Sequence, residues 1–415
     1  MKKVKKMIRK RSLLFMIVCV QLLLSGCWSK RELTDLALVL ALGIDMTKDG
    51  KYEVSMQIVN PGNVAGAVQQ GGGGGQGLPI VVYHQKGDNI VEATRKASTM
   101  ISRRLYFSHT NMLVIGEKVA KKNIPVILEA IERDQQFRNT TTMVVAKGTK
   151  AQTILETLTP IDKIPADQIR KTLTTSESIW SETFPTKIAD VIQQLISPGK
   201  QPVIPGIRLI HNSEQRGTME NLQRTNPVSN IEISGFAMIK DGKLKKWVYG
   251  KTARGVTWSL GKMRSTSVSV DWGGRKKALS YEVVRDKTKL TAKVKNGKPE
   301  GSVLVKVEGD IGEMLVPVDI TNLRVIQKIE RQTNREIERE IERAIKIAQR
   351  NHTDIFGFGD AIHRHDPKFW KRVHTKWSDD YFPTMNIKVE VRTHIRRSEL
   401  RTKSFLSTIK EEKRR

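Results

Sequence analysis

Few residues in this 415-residue chain are placed to do covalent or metal chemistry. The two cysteines are Cys19 and Cys27. A thiol reacts as its thiolate, so each is a candidate nucleophile. Cys19 lies inside an apolar run from Leu13 to Leu24, and Cys27 follows that run behind Ser25 and Gly26. His363, His365 and His374 are close enough in sequence to suggest a metal. Zinc needs three or four convergent ligands, and histidines two apart fall on different faces of a helix. This spacing favours exposed or capping histidines. Ser234-Gly235 lacks the glycine two residues earlier that a nucleophile elbow requires. Asp45 closes an apolar run and reads as a turn or pairing residue rather than a catalyst. The five glycines at 71–75 are followed by neither Lys-Ser nor Lys-Thr, so they read as a mobile loop and not as a phosphate cradle. No catalytic, cofactor or metal residue is assigned, and the expectation is a chain that is not an enzyme.

That leaves Cys27. The first eleven residues carry Lys2, Lys3, Lys5, Lys6, Arg9, Lys10 and Arg11 and no acid. A basic head, a short apolar run and small residues at its end are the pattern of an export signal. As a helix the run rises about 18 Å, against a hydrocarbon core of roughly 30 Å, so it is too short for a permanent span. Leu24-Ser25-Gly26-Cys27 resembles the lipobox of bacterial lipoproteins. The resemblance implies cleavage between Gly26 and Cys27, a diacylglyceryl group on the Cys27 sulfur, and an acyl chain such as palmitate on the new amine. Two or three such chains hold a protein firmly to a bilayer. An ordinary signal peptide ending near a cysteine is the alternative. Cys19 leaves with the signal, so the mature chain has no disulfide and depends on its cores.

The formal net charge is +29, and loss of the seven cations before Cys27 leaves +22. Such a surface resists self-association, and it also attracts anionic headgroups beside an anchor. Only 6% of residues are aromatic and none interleave with a basic motif, so nucleic acid is not expected as a partner.

The elements that must carry these residues are read from periodicity. Leu36 to Ile44 predicts a buried strand, and the alternation through Val54, Met56 and Ile58 predicts its hairpin partner. Further strands are expected at 80–83, 112–115 and 142–146. Helices are expected over 88–104 (capped by Asp88), 117–133, from Thr149, and from Thr186 to Ile196. Residues 201–230 read as a linker or insertion. From 231 the pattern predicts strands at 231–239, 244–249, 256–260, 265–270, 279–284, 289–294 and 302–308. Ile326, Ile329, Thr333, Ile337, Ile341, Ile345 and Ala348 step by three or four, predicting a helix over 321–350 with one narrow buried stripe. Asp366-Pro367 opens a helix with Trp370, Val373 and Trp377 on one face, and 385–395 alternates as a strand. The expected fold is α+β and multidomain, with mixed and antiparallel sheets packed by helices, one of them long and amphipathic near the C-terminus. The expected divisions are a signal at 1–26, an α+β domain at 27–200 with its glycine-rich loop at 61–78, the linker at 201–230, a small strand-rich domain at 231–276, and a C-terminal α+β domain at 277–415.

Several stretches together resemble the GerC-type germination lipoproteins, the C subunits of spore nutrient-germinant receptors. Cys27-Trp28 leads to Arg31-Glu32-Leu33 and then Gly43-Ile44-Asp45. Arg103 to His109 leads into Leu113-Val114-Ile115-Gly116-Glu117. Gly235-Phe236-Ala237, Lys240-Asp241 and Gly255-Val256 match the family's middle. Asp354 to Gly359, Trp370, Trp377 and the final strand match its ending. The glycine tract resembles an insertion, and Ser398-Glu399 stands where the family leads one to expect glycine. The resemblance implies three mixed α/β domains. It also implies a non-enzymatic subunit on the outer face of the spore inner membrane, beside integral-membrane A and B subunits. A small-molecule nutrient would be sensed by the complex rather than by this chain. A solute-binding lipoprotein that hands a small molecule to a permease is the alternative; it predicts two similar lobes, and the sequence shows no duplication.

Overall fold

The computed structural model describes residues 33–65, 77–211 and 213–396, with Met7, Arg11, Ser12, Phe15 and Met16. Gly26, Cys27, the glycines at 71–75 and the chain beyond Arg396 lie outside the described residues. No helix among the described residues is long and apolar enough to cross a membrane.

The strands form two sheets, one of nine strands and one of four. The first holds β1 (Leu36–Met46), β2 (Tyr52–Val59), β3 (Ile80–Gly87), β4 (Arg104–Tyr106), β5 (Met112–Gly116), β6 (Thr142–Ala146), β7 (Val203–Ile210), β8 (Asn230–Lys240) and β9 (Lys243–Val248). Their order is β3-β2-β1-β5-β6-β7-β8-β9, with short β4 beside the start of β1. β1, β5, β6 and β7 are parallel neighbours. Antiparallel strands flank them on both sides. Parallel strands covered on both faces are apolar throughout, and Met112 to Ile115 and Met143 to Ala146 are all buried.

One face of this sheet carries α2 (Ile90–Lys96), α3 (Glu117–Lys122), α4 (Ile124–Glu132) and α7 (Ile188–Ile196). The other carries α5 (Ala151–Glu156) and α6 (Pro165–Ile179). Outside this arrangement lie α1 (Pro61–Ala65), α8 (Met219–Gln223) and α9 (Gly250–Ser259). The second sheet is β10 (Ser267–Trp272), β11 (Arg275–Lys295), β12 (Lys298–Met314) and β13 (Asn386–Ile395) in that order, with β12 and β13 parallel. Packed on it is α10 (Leu323–Arg350), followed by α11 (Phe358–His365) and α12 (Pro367–Val373).

The expected mixed α+β fold with a long late helix is present. α10 is 28 residues long, and every residue of its expected stripe is buried in the core shared with the second sheet. Asp366 caps α12 by accepting from the Phe369 N–H at 2.8 Å.

Local expectations differ in several places. Residues 203–210, read as linker, are strand β7, and 230–248 adds β8 and β9 to the first sheet. Val256 to Leu260, read as a strand, forms the end of α9 and its C-cap; Ala253 to Ser259 are all buried, so no polar stripe shows the helical period. The helix expected over 117–133 is two helices, because Asn123 is extended (φ −169°) and its neighbour Ile124 donates to the Gly242 carbonyl. Asn89 rather than Asp88 caps α2, which ends far short of Arg104. The expected strands at 279–284 and 289–294 are one continuous β11. α6 was not expected; it presents only Pro165, Ala166, Ile169 and Leu173 to the core along a Thr- and Ser-rich sequence.

Candidate functional site

Cys27 itself lies outside the described residues, but its distance from the body is bounded by covalent geometry. It precedes Leu36 by nine residues, which span at most about 32 Å when extended. Leu36 stands opposite Arg104 in the parallel β1–β4 pair. The Arg103–Tyr106 stretch is therefore at the end of the sheet from which the chain runs back to Cys27.

Asp45 lies one residue before the end of β1, at the opposite, carboxyl end of the parallel strands. Its carboxylate accepts from the backbone N–H groups of Ala151 and Gln152, both at 2.9 Å. It thus caps α5 from a distant strand, where Thr149 was expected to cap. Burial pushes its carboxyl above the ordinary value, against the two backbone donors and Lys150. Gly116 is what admits it, because a Cβ there would stand 2.1 Å from Asp45 Oδ1. Beside this cap is a crevice of about 380 Å³ lined by Glu117, Lys118, Lys121, Thr149 and Lys150. The helices after β5 and β6 leave to opposite faces here, the position where open α/β sheets hold ligands. In this chain the carboxylate of Asp45 occupies the helix donors that an anion would use, and Lys121 and Lys150 pair with Glu117 and Glu53.

The other candidates are spread apart. His363 stacks on Trp370 with centroids 5.8 Å apart, and His374 lies tilted against the same ring at 6.3 Å. No group of three His, Cys, Asp or Glu converges among the described residues. Ser234 lies within β8 and not on a strand-to-helix turn.

Asp354 and Glu340 are buried acids that no pattern in the sequence singled out. Asp354 Oδ1 accepts from the N–H groups of Phe356, Gly357 and Phe358, and its Oδ2 from Gly359 N–H and Trp377 Nε1. These bonds close the Asp354–Gly359 turn, in which Gly357 is left-handed (φ 84°) and Phe356 and Phe358 enter the core. Glu340, buried on α10, pairs with Arg254 and accepts from Trp258 Nε1 at 3.3 Å. Arg254 also donates to the Ser267 carbonyl at 2.9 Å. The sequence signal for Asp354 is an acid with one residue between it and two Phe-Gly pairs, where backbone N–H groups are the available partners. Glu340 has no signal, since α10 is rich in acids.

Comparison with known proteins places this architecture. The family model for the spore germination protein N-terminal domain matches residues 29–209. The model for the spore germination B3/GerAC-like C-terminal domain matches 234–399. Spore germination protein KC of Bacillus subtilis is 41% identical over 98% of this chain and 100% of its own length. Spore germination protein A3 of the same organism is 24% identical over 93% of this chain and 97% of its own. The crystal structure of the GerBC protein superposes with a TM-score of 0.54 at 18% identity, covering 85% of this chain and 96% of that one. Relatives that align end to end across both halves, with the same fold, fix the assignment: the chain belongs to the family of spore germination proteins built from a GerAC N-terminal domain followed by a B3/GerAC-like C-terminal domain.

Proposed function

We propose that this chain is the lipid-anchored C-type subunit of a nutrient-germinant receptor, held by Cys27 on the outer face of the spore inner membrane. There it stands beside integral-membrane A and B subunits and acts by assembly rather than catalysis. The end-to-end 41% identity to a protein named for spore germination carries this reading. The lipobox at Leu24 to Cys27 and the lack of any membrane-spanning helix among the described residues support the anchor. The two sheets differ in strand number and order, which disfavours the paired lobes of a solute-binding lipoprotein.

The test is a spore former in which this gene is deleted and restored as wild type or as Cys27→Ala. Wild type restores nutrient-triggered germination and incorporates a fatty-acid probe. Cys27→Ala loses the label and most of its membrane retention, and germinates poorly with nutrient but normally with a trigger that bypasses the receptor. Unchanged nutrient response in the deletion, in a strain without paralogues, overturns the receptor reading. Continued labelling of Cys27→Ala overturns the anchor.

A further inference from the structure

A cavity of about 580 Å³ is on the face of the first sheet that carries α2 and α4, between α2 and residues 130–137. Its floor is apolar, with Leu42, Ile90, Leu105 and Ile131 beside the stacked rings of Phe107 and Phe137. Its rim holds three exposed guanidiniums, Arg95, Arg103 and Arg104. Asp134 is the one carboxylate on the lining, and it stands outside ion-pair distance of all three. Val91 on the rim and nearby Met100 are about half exposed, at 51% and 48%. An apolar floor, unpaired arginines and exposed apolar side chains occur together here, at the end of the sheet where Arg104 pairs with Leu36.

We propose that this cavity binds the headgroup of an anionic phospholipid, and that its rim is the face the body turns to the bilayer. The proposal rests on the anchoring at Cys27 argued above. Guanidiniums bond phosphate through paired N–H groups, which suits a diester headgroup better than a point charge would. Apolar floor and rim accept the glycerol and first methylenes, as interfacial sites do. A tether of at most about 32 Å keeps this face within reach of the surface. Without such a site the body would be free to turn, because charge attraction fades within about 8 Å at physiological salt. The outer face of the second sheet is also basic, through Lys287, Lys289, Lys306 and Arg392. That sheet shares no strand with β1, the strand from which the chain runs back to the anchor.

Lipidation leaves the Cys27 sulfur a thioether, and Cys19 leaves with the signal, so single introduced cysteines can be labelled cleanly. The full lipidated chain, carrying an environment-sensitive fluorophore on Met100→Cys or Lys289→Cys, is placed in phosphatidylcholine vesicles with or without phosphatidylglycerol. A lipid-borne quencher reads contact. The Met100 label is expected to be quenched only with phosphatidylglycerol, and to recover at high salt. Combined Arg95→Gln, Arg103→Gln and Arg104→Gln should lower the docked population by roughly tenfold to a hundredfold. The Lys289 label should not respond. The proposal is overturned by equal Met100 quenching in both vesicles, by quenching at Lys289 instead, or by quenching that survives the triple substitution or high salt. A wild-type chain that fails to float with pure phosphatidylcholine vesicles shows that the anchor has failed. Co-flotation with phosphatidylglycerol then tests the cavity directly: sensitivity to the three arginines supports it, and no flotation overturns it.

Discussion

Gly255 shows how closely single residues set this fold. α9 crosses α10 there, and a Cβ on Gly255 would stand 2.1 Å from the Glu340 carbonyl oxygen and 2.9 Å from Ala344 Cβ. Backbone cannot yield as a flexible side chain can. Gly255→Ala should therefore force the helices apart, strain the buried Arg254–Glu340 pair, and cost about 3 kcal/mol, read as a lower denaturant midpoint with an unchanged slope. Lys200 offers the opposite case. It is half-buried beside Phe356, Gly357 and Asp360, with no carboxylate within ion-pair distance among the described residues. Desolvation holds its ammonium below the ordinary value of 10.5, although Asp360 and Asp354 pull the other way. Below the folded value both states keep the proton, so the full cost of burying the charge is felt. Between the folded value and 10.5 the unfolded chain binds more protons, so stability rises with pH. Lys200→Met keeps the stem and removes the charge. It should stabilise by on the order of 1 kcal/mol at neutral pH, and the gain should shrink as the pH is raised past the folded value. A gain that stays constant with pH would assign the effect to packing.

Among the elements, the outer face of the second sheet contains a conflict. In the β11–β12–β13 register, Lys287, Lys306 and Arg392 stand side by side. Like charges directly opposite destabilise a sheet, and only Arg392 has a carboxylate partner, Glu390. Lys306→Glu would place an anion between two cations. It should raise stability by roughly 0.5–1 kcal/mol at low salt, with the gain shrinking at high salt. No change at low salt would mean that solvent already screens the row. Such elements were legible where one face is wet. The α10 stripe and the alternation of β13 could both be read because polar residues mark their outer sides. α9 was not legible, because it is buried all round and its Val-Thr-Trp run carries no period. α6 was hidden by threonines and serines on its outer face. The candidate site divides in the same way. Cys27 declares itself by local sequence, whereas Arg103 and Arg104 belong to a stretch whose meaning depends on β4 lying beside β1, and Arg95 joins them from α2. The Asp45 cap likewise joins residues about a hundred positions apart, which no local pattern encodes.

At the scale of the whole molecule, the question is whether the two sheets behave as independent bodies. One core cluster answers it. Phe184, Val203, Phe236, Met238 and Val248 lie in or beside the first sheet, yet they share a continuous apolar cluster with α9, α10 and the inner face of the second sheet. Polar links cross the same boundary. The Gln201 N–H donates to the Asp354 carbonyl at 2.8 Å, Ser197 Oγ donates to Asp360 at 2.6 Å, and Lys240 pairs with Asp379 at 2.6 Å. Gly199 admits the contact, since a Cβ there would stand 2.4 Å from the Asp360 nitrogen. Domains joined by a wet, polar interface move and melt separately, whereas a shared dry core couples them. The described body should therefore unfold in a single calorimetric transition whose van't Hoff and calorimetric enthalpies agree. Phe236→Ala, which empties a fully buried site in that shared cluster, should cost about 3–5 kcal/mol and lower the one transition as a whole. Residues 33–248 and 249–396 expressed apart should each expose the Phe236 or α9 surface and bind a hydrophobic dye, and mixing them should reduce that binding. Two separated transitions in the intact chain, with Phe236→Ala shifting only the first, would show that the halves fold independently. In that case the apolar cluster would act as a docking contact rather than a common core.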